Sequence, residues 1–258
     1  MIRDITIGQY YPADSPIHKI DARVKIVITL LYIISLFIIE SFIGYAVVIA
    51  ALAVIIKVSK VPFKFMVKGL KSLIFIIVFT AIINLFVTKG ETPLFTLWRF
   101  TVTLEGVFFA IKMCLRIILL IIGSSLLTLT TTPIKLTDGI ESLLKPLERF
   151  GVPAQDIAMM MTIALRFIPT LLDETDKIIK AQQARGADFD TGSLTSKAKA
   201  LVPILVPLFI SAFRRADELA MAMECRCYRG GDGRTRLKVL RCTKQDYIDL
   251  AVCIVCFV

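Results

Sequence analysis

Apolar residues crowd the first half of the chain into four dense runs, and in the second half they thin out to helical spacing. The first two runs, 24–39 and 42–56, are separated only by Glu40 and Ser41, which predicts a tight helical hairpin. Each run is slightly short of the ~20 residues that cross a hydrocarbon core, so flanking residues must complete the span. The third and fourth runs cover 70–87 and 106–128. Between them, 89–105 carries Pro93 and the single tryptophan, Trp98, an expected interface anchor. Asn84, inside the third run, is expected to hydrogen-bond a neighbouring helix.

From 130 to 244 the pattern changes. Thr132-Pro133 opens a helix with proline at its first position. Ile140, Leu143, Leu144 and Leu147 mark one face of it to about Phe150, where Gly151 and Pro153 end it. A second helix is predicted over 154–185. Ile157, Met161, Leu165, Ile168 and Leu172 repeat at 3–4 residue intervals, with Asp173, Glu174, Asp176 and Lys177 on a wetter face. Pro169 is expected to kink it. A third helix is predicted over 194–226. Its apolar stretch, 200–213, contains Pro203 and Pro207 and is too short to span, which suits a membrane-surface or buried helix. A last apolar run starts at Asp246 and reaches Val258. That length does not span a bilayer, so the run is expected to continue beyond the given sequence.

Composition sharpens the class. Of 258 residues, 56% are hydrophobic, above the roughly 45–50% of soluble domains, and mean hydropathy is +0.76. The net charge of +10 sits in segments flanking the apolar runs. Headgroups and topology therefore explain it better than nucleic acid, for which no motif is present. Lys57, Lys60, Lys64, Lys68 and Lys71 fall on one helical face, as an interfacial basic segment or as a plain positive-inside loop. Basic residues of the N-terminal segment and of this loop place the N-terminus in the cytosol. The six cysteines lie in apolar runs or in basic, cytosol-like sequence and form no disulfide framework.

Candidate functional residues concentrate at two helix ends. The second helix closes on Ala184-Arg185-Gly186, and the third closes on Cys225-Arg226-Cys227. Glycine is the usual residue just past a helix, and arginine suits the negative end of the dipole, so Ala184-Arg185-Gly186 taken alone reads as a cap. The recurrence at Arg226 supports a second reading. Small neighbours would let each end enter a groove on a partner, where the rigid guanidinium fork pairs with carboxylates or carbonyls. Cys225 and Cys227 have only Glu224 and Cys242 nearby as further ligands for a metal. Lys112 and Arg116, four apart in the fourth run, are intramembrane charges. They face a polar cavity, pair with Glu105 or meet a partner subunit; otherwise Lys112 snorkels and carbonyls satisfy Arg116. No phosphate-binding GxxxxGK[ST] loop, HExxH, GxSxG or kinase signature is present, and no catalytic, metal or cofactor site is expected.

Several segments together carry a family resemblance: Ile20-Asp-Ala-Arg-Val-Lys25, Thr131-Thr-Pro-Ile-Lys-Leu136, 144–153, Ala164-Leu-Arg-Phe-Ile-Pro169 and Ala181-Gln-Gln-Ala-Arg-Gly186. Over nearly its whole length the chain resembles the transmembrane T components of energy-coupling factor (ECF) transporters. The last segment matches that family's first Ala-Arg-Gly motif. Its second, X-Arg-X, falls on Cys225-Arg226-Cys227, where cysteines depart from the common Ala-Arg-Gly or Ala-Arg-Ser.

The resemblance implies an all-α polytopic protein with about five transmembrane helices and a cytosolic-side domain of three long amphipathic coupling helices. The expected division is a membrane domain at 1–129, a coupling-helix domain at 130–243 and the start of a last transmembrane helix at 244–258. It implies docking of Arg185 and Arg226 into two ABC-type ATPase subunits. It further implies a substrate-binding S component as the other partner, for uptake of a vitamin or other micronutrient across a prokaryotic plasma membrane. A stand-alone permease is the alternative; it requires transport by the chain alone and a polar cavity around Arg116.

Overall fold

The structure, a computed structural model, describes residues 10–87, 93–97, 100–187 and 194–230, with Asp246 and Cys253. Trp98, Cys242 and most of the final apolar run lie outside the described residues. The elements in order are helices α1 (Pro16–Lys19), α2 (Ala22–Ile38), α3 (Phe42–Ser59) and α4 (Phe63–Val87), then strands β1 (Pro93–Leu97) and β2 (Phe100–Thr103). Helices α5 (Leu104–Thr130), α6 (Pro133–Leu144), α7 (Ala154–Ala184) and α8 (Leu194–Cys225) follow. The protein is thus mostly helical. Inside the segment read as a connection, β1 and β2 pair antiparallel, with Phe95 opposite Val102 and Leu97 opposite Phe100. Proline and β-branched residues there resist helix, and a short hairpin satisfies the backbone groups instead.

Polar residues at the junctions set the boundaries. Asp21 accepts a hydrogen bond from the Arg23 amide (2.9 Å) at the start of α2. Ser41 does the same for Ile43 at α3, and Thr103 for Gly106 at α5. Each satisfies one of the orphan amides at a helix start. The helix from Pro133 ends at Leu144 and tightens into a 3₁₀ turn, Lys145–Phe150, before Gly151. Pro146 explains the change, because it removes the amide that would continue the α-helical ladder.

The described residues form two compact units that part between Ile140 and Glu141. In the first, Tyr32, Leu36, Tyr45, Val48, Leu52 and Leu119 make a buried core among α2, α3 and α5. The Tyr32 ring lies against Gly123, where a Cβ would come within 2.2 Å of it, and its hydroxyl donates to the Leu119 carbonyl at 2.8 Å. Side chains on the opposite faces, such as Ile38, Ile43 and Phe75, are more than 70% exposed. Helices with so small an apolar core and so apolar an outer face need lipid, not water, as solvent.

Among the described residues three helices, α3, α5 and α7, are long and apolar enough to cross a membrane, and four are if the bent α4 counts as one span. At 17 residues, α2 reaches about 26 Å, just under the core thickness. Among the described residues Asn84 bonds within its own helix, donating to the Thr80 carbonyl at 2.8 Å.

Lys25 is buried at the foot of this unit. Its ammonium donates to the carbonyl of Thr130 (3.0 Å) and the hydroxyl of Thr131 (3.2 Å). It thereby caps the last turn of α5 where free carbonyls and the dipole favour a cation. The amide of Asp21 donates to the Asp246 carboxylate at 3.1 Å.

Candidate functional site

The site is built in the second unit, from the ends of α7 and α8. α7 runs 31 residues and α8 runs 32, each roughly 45–50 Å at the standard rise. Both continue through internal prolines, Pro169 in α7 and Pro203 and Pro207 in α8. Proline lacks an amide, so Pro207 leaves the Pro203 carbonyl without its usual partner. The side chain of Gln182 in α7 donates to that carbonyl at 3.3 Å. A second tie lies farther along. Glu174 of α7 accepts from Ser211 (2.7 Å) and from Arg215 (2.7 Å) of α8. The two long helices are therefore held in one register by a carboxylate clamp and by an amide that fills a proline-made gap.

The two ends carry the same backbone motif. At α7, the Gly186 amide bonds the Gln183 carbonyl (2.9 Å) and the Ala187 amide bonds the Gln182 carbonyl (3.0 Å). At α8, the Cys227 amide bonds Glu224 (2.8 Å) and the Tyr228 amide bonds Met223 (3.0 Å). Both patterns are Schellman caps, which require a left-handed residue just past the helix. Gly186 supplies it with φ of 87° and Cys227 with φ of 57°. Cysteine pays a steric penalty there that glycine avoids. The imperfect sequence echo is a close geometric one.

In both motifs the arginine stands between the last helical residue and the left-handed residue. The cap is made entirely by backbone groups, so neither arginine side chain is needed for it. Ala184, Arg185, Gly186, Cys225, Arg226 and Cys227 are all exposed. Among the described residues neither guanidinium has a hydrogen bond or an ion pair. Cys225 and Cys227 are free thiols.

Lys112 and Arg116 sit elsewhere, on α5 in the first unit. Arg116 donates through Nε to the Tyr45 hydroxyl (3.1 Å) and through a terminal nitrogen to the Ile39 carbonyl (3.3 Å). Its guanidinium also lies 5.5 Å from the Phe37 ring centre. Ile39 caps α2, so the arginine occupies an orphan carbonyl at the hairpin tip. Lys112 stands 4.9 Å over the Phe42 ring, a cation–π arrangement. The apolar cavity of about 440 Å³ between α4 and α5 is lined by side chains such as Ile82, Val107, Cys114 and Ile118, and not by Arg116.

Sequence reasoning missed the Glu174–Ser211–Arg215 clamp and the Gln182 contact. A signal existed for the second. An internal proline always frees the carbonyl four residues earlier, and a long polar side chain on the adjacent helix is the natural donor. For the clamp, periodicity marked Glu174 only as part of a wet face.

Comparison with known proteins supplies an independent view. The family described as "Cobalt transport protein" (CbiQ) matches residues 13–237. A protein of Clostridium kluyveri named "Energy-coupling factor transporter transmembrane protein EcfT" is 62% identical over 249 residues, 96% of this chain and 92% of the relative. Proteins of the same name from Ruminiclostridium cellulolyticum (57%) and Acidaminococcus fermentans (51%) align over 99% and 100% of this chain, and over 95% and 96% of their own lengths.

Proposed function

Because the chain belongs to the CbiQ family and is a T component of the energy-coupling factor type, we propose that Arg185 and Arg226 are the contacts through which it receives ATP-driven motion from two ABC-type ATPase subunits. The observation that carries this reading is the pair of matching helix ends. Each presents an exposed arginine that its own cap does not use, and the two helices behind them are tied at Glu174 and Gln182. A push on either end is then shared by both, rather than lost in bending one helix alone. Two equivalent ends suit two equivalent sockets, and the guanidinium fork suits carboxylates or carbonyls within them.

The opposite partner is an S component that binds a vitamin or other micronutrient. Supporting this, α8 exposes Leu201, Val202, Leu205, Val206, Phe209 and Phe213 in one stretch. An apolar patch of that size on a charged helix marks an interaction surface. In this reading α2, α3, α4 and α5 span a prokaryotic plasma membrane with the N-terminus in the cytoplasm, and 244–258 is the start of a further transmembrane helix. α6, α7 and α8 then form the coupling domain on that side. The ATPase pair supplies the nucleotide chemistry, and the T component has no catalytic residue.

The test reverses both charges, Arg185→Glu with Arg226→Glu, and asks whether an ATPase pair still co-purifies with the full chain. The proposal expects loss of the ATPases and of transport, since truncating one member of a buried charged pair costs about 2–5 kcal/mol. ATPases retained with transport intact would refute it.

A further inference from the structure

The first unit carries a second exposed surface that ATPase coupling does not use. Between Glu40 and Glu91 the sequence holds six lysines and no acidic residue. The structure places Lys57, Lys60, Lys64 and Lys71 at the surface, around the start of α4. α4 is not one straight rod: Phe63–Lys71 and Leu73–Leu85 meet at 59°. Ser72 stands at the break and Gly69 three residues before it, small residues of the kind at which helices turn.

The two halves are chemically different. Leu73–Leu85 carries no charge. Phe63–Lys71 is anchored by Met66, which is fully buried with Val61 and Leu129, and by Phe65 against the Tyr11 ring at 5.5 Å. Besides Phe65, which keeps 48% of its surface exposed, the described outer side chains are sorted. Phe63 and Val67, four apart, form an apolar ridge that is 58% and 40% exposed. Lys64 and Lys71, seven apart, form the ridge beside it. Lys60 stands just before the helix in a left-handed conformation, continuing the basic edge.

We propose that Phe63–Lys71 is an interfacial helix that binds the headgroups of anionic phospholipids. Phe63 and Val67 enter the acyl boundary, and Lys60, Lys64 and Lys71 meet the phosphates. Charge complementarity selects this occupant. An acidic protein could match the lysines, but the apolar ridge directly beside them matches the depth profile of a leaflet. The bend lets one continuous helix lie along the surface and then enter the core. A bare positive-inside loop would need neither the ridge nor the bend.

The test uses the full chain with Trp98→Phe and the reporter Phe63→Trp, reconstituted in bilayers that mix phosphatidylglycerol with phosphatidylcholine, one or the other carrying brominated acyl chains. The proposal expects the reporter to be quenched more strongly by brominated phosphatidylglycerol than by brominated phosphatidylcholine at equal mole fraction. Each engaged lysine favours the anionic lipid by roughly fivefold. Lys60→Gln with Lys64→Gln and Lys71→Gln should abolish the excess, and the three arginine substitutions should keep it. Equal quenching by both lipids in the parent would overturn the proposal. So would an excess unchanged in the glutamine variant, or a reporter quenched only by a water-soluble quencher. Selective loss of the excess with inorganic phosphate, but not with sodium chloride of the same ionic strength, would make this a small-anion site and also overturn it.

Discussion

Exchanging the two residues that close the caps should move the two helix ends in opposite directions. Gly186 has φ of 87°, and a Cβ added there would meet nothing within 4 Å. Gly186→Ala therefore carries no contact penalty, only a backbone one. Holding an L-residue left-handed costs about 1–2 kcal/mol. Alanine recovers about 0.4–1 kcal/mol of that by restricting the unfolded chain. The net is a loss of about 1 kcal/mol. At Cys227 the trade reverses, because a non-glycine residue already sits at φ of 57° and its exposed thiol adds little. Cys227→Gly should gain about the same amount.

The readout is hydrogen exchange at the capping amides, Ala187 and Tyr228, whose bonds are 3.0 Å each. About 1 kcal/mol changes local opening roughly fivefold, faster at Ala187 and slower at Tyr228. Arg185→Ala is the control, since it leaves every cap bond in place. Exchange at Ala187 that rises as much with Arg185→Ala as with Gly186→Ala would refute the reasoning, because the arginine would then belong to the cap and not be reserved for a partner.

Two further outcomes follow from the same geometry. Glu174→Ala removes both acceptors of the α7–α8 clamp. Glu174 and Arg215 are partly exposed, at 24% and 39%, so solvent screens the pair and the loss of stability should be small. A double-mutant cycle with Arg215→Ala, read by thermal unfolding, should return a favourable but small coupling, and no coupling would show that the pair does not tie the helices. His18 is buried, with the Ser15 hydroxyl and the Tyr11 carbonyl against its two ring nitrogens at 2.7 and 3.1 Å. Burial, with Lys25 and Lys135 nearby, lowers its pKa below 6.5 against the opposing pull of the Tyr11 hydrogen bond and of Asp14. A depressed histidine makes the unfolded state bind more protons below pH 6.5, so stability should fall as pH drops through that value. The midpoint of thermal unfolding should show this slope in the parent and a shallower one in His18→Gln.

The long helices were the most legible part of the fold. Pro133, the Gly151–Pro153 stop and Gly186 punctuate the sequence clearly. The expected ranges 154–185 and 194–226 differ by one residue from Ala154–Ala184 and Leu194–Cys225. Both arginine motifs were visible for the same reason, since a cap has a local signature. What stayed hidden depends on distant partners. Periodicity gives Glu174 a face but not the identity of Ser211 and Arg215 across from it. It makes Lys25 the end of a polar segment, although the side chain is buried under the last turn of α5. Hydrocarbon penalises an unpaired amide, which favours a bond from Asn84 to a neighbouring helix. The carbonyl four residues earlier in its own helix, Thr80, meets that need locally. The 3₁₀ turn after Leu144 was readable from Pro146, which interrupts the ladder the hydrophobic spacing alone would continue.

The central claim is that Arg185 and Arg226 face partner subunits. Photo-crosslinking tests it most directly: a crosslinking amino acid placed at 185 or 226, and at the exposed control Arg214, in the full chain co-expressed with an ATPase pair. The account predicts crosslinks to the ATPase subunits from 185 and 226, one subunit each, and none from 214. Crosslinks from 185 and 226 to lipid or to the chain itself, with the ATPases attached through other positions, would contradict it.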